Sequence, residues 1–186
     1  MLAPGVHTES EALAGFLDDQ LDALRAAAHG LTDEQAKRRP CRSTLSVGGI
    51  LKHVTHVLRG RTEPRVVDAD GYAAFTDSFV LRDDETLQGA LAAFDEVRAA
   101  FLADVRATDP GAPMAEPPAP WYGRPEPTPS VQRYALLHLV EELARHAGHA
   151  DVVREELDGA QAASLHLAVT GAPGNDFVQP WQPATA

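Results

Sequence analysis

Cysteine is nearly absent from this chain of 186 residues: Cys41 is the only one. No intramolecular disulfide can form, so packing alone must hold the fold. The same scarcity fits a reducing cytoplasm, the expected location. Cys41 sits in a Pro40-Cys41-Arg42 loop, where arginines could activate a thiol, but an ordinary loop cysteine is the preferred reading. Long apolar runs are missing as well, and no stretch approaches the roughly 20 residues of a membrane span. Glu9, Glu11, Asp18 and Asp19 arrive too early for the basic-then-apolar pattern of a signal peptide. Positive charge is short: the formal net charge is -11. The basic clusters are only Lys37-Arg38-Arg39 with Arg42, and Arg59 with Arg61. A phosphate backbone would be repelled overall, so neither nucleic acid nor membrane is an expected partner. No period-two alternation and no internal repeat appears either, which argues against a sheet protein.

What is present is helical periodicity. Hydrophobic content of 44% and charged content of 23% suit one soluble domain with a core of its own. Thr8 and Glu11 form a capping box ahead of a stripe of Leu13, Phe16, Leu17, Leu21 and Leu24, with Gly30 as the stop. Thr32 and Gln35 repeat the box before a short helix ending ahead of Pro40. Ser46 caps a helix whose stripe is Ile50, His53, Val54 and Val57. Gly48 and Gly49 weaken that helix, and their missing side chains would admit a helix or a ligand.

Residues 62–82 read as a connection carrying Tyr72, Phe75 and Phe79, punctuated by Pro64, Asp70-Gly71 and Asp77. Asp83 or Asp84 starts a third long helix with Leu87, Leu91, Phe94, Val97, Phe101, Leu102 and Val105 inward. Eight prolines between 110 and 129 then rule out a regular element in that loop, which also holds Trp121 and Tyr122. Ser130 caps the fourth long helix, which buries Leu136, Leu137, Val140, Leu143, Ala147 and Val153 and stops at Gly159. A short helix from Gln161 to Val169 and an irregular tail follow, with Phe177 and Trp181 able to pack back. The fold class is therefore all-α: a four-helix bundle with long helices near 9–29, 46–61, 84–107 and 131–158. A long crossover and a proline-rich loop precede the last long helix. Residues 1–160 are taken as the bundle and 161–186 as an extension of the same domain.

Two of these helices carry metal-type side chains. Glu142 and His146 lie four apart, one turn up the same face. If His53 meets them from its own apolar stripe, two imidazoles and a carboxylate gather. That set suits a divalent metal with positions left open for substrate. His149 and His56 each lie about one turn from a proposed ligand, as fourth ligands, proton shuttles or supporting groups. His138, one turn before Glu142, offers a competing stripe of His138, Glu142 and His146. His7, His29 and His166 read as surface or terminal residues, and Asp151, Arg145 and Arg154 as surface pairs.

The segment Leu45 to Val57, the Glu142-x-x-x-His146-x-Gly148-His149-x-Asp151 segment and the Arg154-Glu155-Glu156-Leu157-Asp158-Gly159 ending together resemble the DinB-like superfamily. Phe16 to Leu21 and Leu31 to Gln35 fit it too, so the resemblance spans residues 8 to 160. It is nearest to an actinobacterial branch similar to the mycothiol-dependent maleylpyruvate isomerases and thiol S-transferases. The resemblance implies three metal ligands, His53, Glu142 and His146. It also implies a mycothiol-type thiol as cosubstrate and an electrophile as the second small molecule. The metal expected is zinc, with nickel, iron or manganese as alternatives. The chain departs from the pattern at Leu58-Arg59-Gly60-Arg61, where relatives commonly carry a glutamate and an aromatic residue.

The expected function is S-transfer or isomerisation dependent on metal and thiol, by a monomer or homodimer. A metal-dependent hydrolase and a non-catalytic metal- or ligand-binding bundle are the alternatives. Trp121 and Tyr122 read equally as walls of a substrate pocket, together with the connection near Tyr72 and Phe75, or as plain packing anchors of the proline-rich loop.

Overall fold

The computed structural model describes residues 2–63 and 69–183, so Pro64 lies outside the described residues. Helix dominates. The order is α1 (Glu9–Ala27), α2 (Asp33–Lys37), α3 (Val47–Thr62), α4 (Ala69–Asp77) and α5 (Leu87–Ala107). A ribbon of β1 (Pro113–Glu116) and β2 (Thr128–Val131) follows, with a 3-10 turn at Pro120–Tyr122 between its strands. Then come α6 (Gln132–Asp158) and α7 (Ala162–Thr170). The four long helices meet around one core: α1 packs on α6 and α5, and α3 on α5 and α6.

The caps anticipated from side-chain chemistry form. Thr8 and Glu11 close a reciprocal capping box, Thr32 and Gln35 close another, and Ser46 Oγ accepts from the Gly49 amide at 3.1 Å. Leu17, Leu21, Ile50, Val54, Phe94, Phe101, Leu136 and Leu143 are all fully buried, the stripes that the helical period required. Not every residue assigned to those stripes is in the core, and Val57 is only partly buried. Phe16 and Leu137 are both more than half exposed, at 52% and 54%. Each adjoins a residue that is buried, Leu17 or Leu136, and a step of one residue turns the helix by about 100°.

Several boundaries differ from the sequence reading. α5 begins at Leu87 rather than at Asp83 or Asp84, because Thr86 supplies the cap, accepting from the Gly89 amide at 3.1 Å. α6 begins at Gln132, and Ser130 lies in β2 rather than at the cap. The proline-rich loop is not devoid of regular structure, since β1 and β2 pair antiparallel with Pro113 opposite Val131 and Ala115 opposite Pro129. Prolines are tolerated there because a two-stranded ribbon consists only of edge strands. Its base is clipped to the helices by Gln132 N donating to Ala112 O at 3.0 Å and Arg133 N to Pro110 O at 2.8 Å. The aromatic connection holds a full helix, α4.

Arg154 is the largest departure. It is no surface residue: it is 0% exposed. Its Nη1 donates to the carbonyls of Ala27 and His29, both at 2.7 Å, and its Nε to Asp158 at 2.9 Å. Nη2 lies 2.9 Å from Asp158 Oδ2, an ion pair without hydrogen-bond geometry. Trp181 covers the guanidinium at 5.0 Å and lies edge-on to His29. The same indole presses on Gly30, whose φ of 72° is the left-handed conformation glycine adopts without strain. Of the two tail aromatics, Trp181 packs back and Phe177 stays exposed. One guanidinium thus ties the end of α1, the end of α6 and the tail together. Arg154→Ala would strand the Asp158 carboxylate and two carbonyls, and is expected to cost about 3–5 kcal/mol in urea unfolding.

Candidate functional site

α3 and α6 bring His53 and His146 together. Their ring centroids lie 5.0 Å apart with planes at 61°. His53 is 3% exposed, and its surroundings explain its orientation. Phe79 stacks on the ring at 3.7 Å and Phe75 meets it edge-on at 5.3 Å. Both aromatics come from α4 and the turn after it, and glycine lets that turn approach. A Cβ at Gly49 would overlap the carbonyl oxygen of Phe79, and one at Gly48 would overlap the Leu81 side chain. The space left by the two glycines is therefore filled by the chain at 79–81.

Ser78 settles the protonation of His53. Its Oγ lies 2.9 Å from His53 Nδ1 and 2.6 Å from the carbonyl oxygen of Phe75. A carbonyl only accepts, so the single hydroxyl hydrogen goes to Phe75, and the serine oxygen must accept from His53. Nδ1 then carries the proton, and in the neutral ring Nε2 keeps the lone pair that a ligand needs. Nothing in the sequence singled out Ser78. Its only signal is its place between Phe75 and Phe79.

His146 differs in having a buried Nδ1 with no hydrogen-bond partner among the described residues. Burial lowers its pKa below the usual imidazole value; Glu142 opposes that shift, while His149 and Arg145 add to it. A neutral imidazole with an unmet nitrogen is the form that binds metal. The pair also has suitable spacing. With metal–nitrogen bonds of about 2.0–2.1 Å, two imidazoles on one tetrahedral ion place their centroids about 5 Å apart.

The third expected donor stands apart. Glu142 is one-third exposed and lies 3.8 Å from Arg145 Nη1. Among the described residues, no group of three or more His, Cys, Asp and Glu side chains is arranged to hold a metal ion. Ring spacing is thus the feature of the imidazole pair that is compatible with a metal, and Glu142 lies one turn before His146 on the same face of α6. The other histidines are more peripheral. His149 is exposed, with its ring 6.3 Å from that of His146. His138 stacks on Tyr134 and lies 3.6 Å from Glu141, on exposed helix surface. His56 lies at 6.2 Å from Phe75. Cys41 is half-buried and packs against the core.

A cleft of about 430 Å³ among α3, α4 and α5 is lined by Lys52, His56, Arg59, Asp77, Ser78 and Glu85, and neither His53 nor His146 lines it. Lys52 closes one side, with Nζ 2.8 Å from Glu85 and 3.0 Å from the Val80 carbonyl. Ser78 thus touches both His53 and the cleft. Tyr122 is exposed and does not line this cleft, and the Trp121 side chain lies outside the described set.

Two outcomes follow. Nitrogen-15 spectra of the metal-free protein at neutral pH should show His53 protonated at Nδ1, and Ser78→Ala should lose that preference. Gly49→Ala should destabilise by about 1–3 kcal/mol, as overpacking does. It should also weaken the ring-current shift that Phe79 imposes on His53, read by proton spectra.

The residues at this site now stand beside what comparison with known proteins gives. No curated protein and no solved structure matches significantly. The model of one family, described as mycothiol-S-transferase, matches residues 12–159. That stretch runs from the first turns of α1 to the end of α6 and includes His53, Glu142 and His146. With most of its length matched, the chain belongs to the mycothiol-S-transferase family.

Proposed function

We propose that this protein transfers the sulfur of a mycothiol-type thiol to an electrophile, with a divalent metal, zinc first, held by His53, His146 and Glu142. The observation that carries the reading is the imidazole pair of buried His53 and half-buried His146, the latter with a buried nitrogen that has no hydrogen-bond partner among the described residues. The four long helices are read as a four-helix bundle over residues 1–160, with 161–186 as its extension, working in a reducing cytoplasm.

When bound, such a metal would favour the thiolate form of the thiol near neutral pH. The chain's own residues do the rest. Ser78 holds His53 with its donor lone pair at Nε2. Burial lowers the His146 pKa, which favours the neutral ring. Phe75 and Phe79 exclude water from the His53 ring, which strengthens electrostatic interactions there. Glu142 has only a long, partly exposed contact with Arg145 to give up, a pairing worth little. The cleft beside Ser78 and His56 has a volume of about 430 Å³, within the range of small-molecule sites. In a substitution the thiol gives its proton to solvent, sulfur bonds to the electrophilic carbon and the leaving group departs with its electron pair; in an addition the opened double bond keeps the pair and takes up a proton from solvent at the neighbouring carbon.

Metal content of tag-free protein tests the ligand set. His146→Ala should lose most of the bound metal, His149→Ala much less, and Glu142→Ala an intermediate to large share, read by elemental analysis. Equal losses in the two histidine variants would bring His149 into the ligand set. Adding mycothiol to cobalt-substituted protein should produce a sulfur-to-metal charge-transfer band and accelerate conjugation of a test electrophile. Metal-loaded protein without a thiol-dependent change would overturn S-transfer.

A further inference from the structure

A second cleft, of about 580 Å³, lies between α1, α6, α7 and the tail. One wall is α1, with Phe16 and Ala23; the other is α7 and the tail, with His166 and Val178; Asp151 of α6 lies between them. No residue of α3, α4 or α5 lines it. Asp151 follows His146 by five residues, about 140° around the helix at 3.6 residues per turn. The two sites therefore use different faces of α6. Moreover, the family match ends at residue 159, so the second wall is built by chain beyond it.

That wall is held in place by specific contacts. Trp181 N donates to the Ser164 carbonyl at 2.9 Å, and Ser164 Oγ to the Gln179 carbonyl at 2.6 Å. Asn175 Oδ1 accepts from the amides of Phe177 and Val178 at 2.8 and 3.0 Å. Trp181 is in turn seated on Arg154.

The lining is mostly apolar and carries three carboxylates but no lysine or arginine. Two of the carboxylates are engaged: Asp22 with Arg98 at 2.6 Å, and Asp19 with the Leu2 amide at 2.8 Å. Among the described residues, none pairs with Asp151 by hydrogen bond or salt bridge. Burial, with Glu155 nearby, raises its pKa above the ordinary aspartate value. A half-buried carboxylate without a cation, in an apolar cleft of ligand size, calls for a positive charge on an apolar body. One such carboxylate is too few for a metal ion.

We propose that the segment after residue 160 builds a second binding site, which takes a small organic amine with an aromatic or aliphatic body and pairs its ammonium with Asp151. This site is independent of the S-transfer reading. The test is 2-phenylethylamine titrated into the full-length protein, followed by calorimetry and by methyl shifts of Ala23, Ala163 and Leu167. Saturable binding with shifts at those methyls is expected. Affinity should fall at least tenfold for Asp151→Asn, and at least tenfold for the uncharged 2-phenylethanol. Because folding raises the pKa of Asp151, its charge opposes folding rather than stabilising the fold at neutral pH. Asp151→Asn should therefore melt no lower than the parent, which separates lost binding from lost folding. Equal affinity for amine and alcohol, equal affinity of variant and parent, shifts confined to α3 and α4, or no saturation would each overturn the proposal.

Discussion

The approach of the Phe79 carbonyl to Gly49 is the constraint on which the site depends. A backbone oxygen packed against a helix at that range leaves no room for any side chain. It fixes the turn after α4 against α3. From that turn and the adjoining end of α4 come a ring that stacks on His53, a second ring at its edge, and the hydroxyl that orients it. The helix-weakening cost of two adjacent glycines, about 1 kcal/mol each relative to alanine, is offset by this packing. α3 keeps its helical form because Ser46 caps its start and Ile50, Leu51, Val54 and Leu58 bury its inner face.

The two imidazoles are unlike each other. His53 has a defined partner at Nδ1 and is enclosed by aromatics, whereas His146 has a buried nitrogen with its hydrogen-bonding capacity unmet. An unmet buried polar atom ordinarily costs about 1–3 kcal/mol. Such a cost in one ring, with the other ring locked, supports the ligand role proposed for the pair. The lowered pKa of His146 acts in the same direction, since a proton would compete for the donor atom.

Much of the fold was legible in the sequence. Caps such as Thr8, Thr32 and Ser46 work through bonds to residues three positions away, and the apolar stripes repeat with the helix period. Short-range chemistry of that kind is written locally. Arg154 was read wrongly because its partners, the carbonyls of Ala27 and His29, lie more than a hundred residues away along the chain. The ribbon was missed because proline density argues against strands in general, but not against two that are both edges. At the site, the helix spacing of Glu142 and His146 and the apolar setting of His53 pointed to the helix pair. The sequence could not give Ser78, whose role depends on where the turn after α4 lands.

The ribbon between α5 and α6 has a further consequence for how copies of this chain meet. Exposed strand edges are templates on which another chain can add a strand. Here Pro113 stands in one strand and Pro129 in the other, and neither has an amide hydrogen to donate. Neither edge can offer an unbroken row of donors to an incoming strand. The same prolines that obscured the ribbon in the sequence make it a terminus of the sheet, two strands wide and closed to growth.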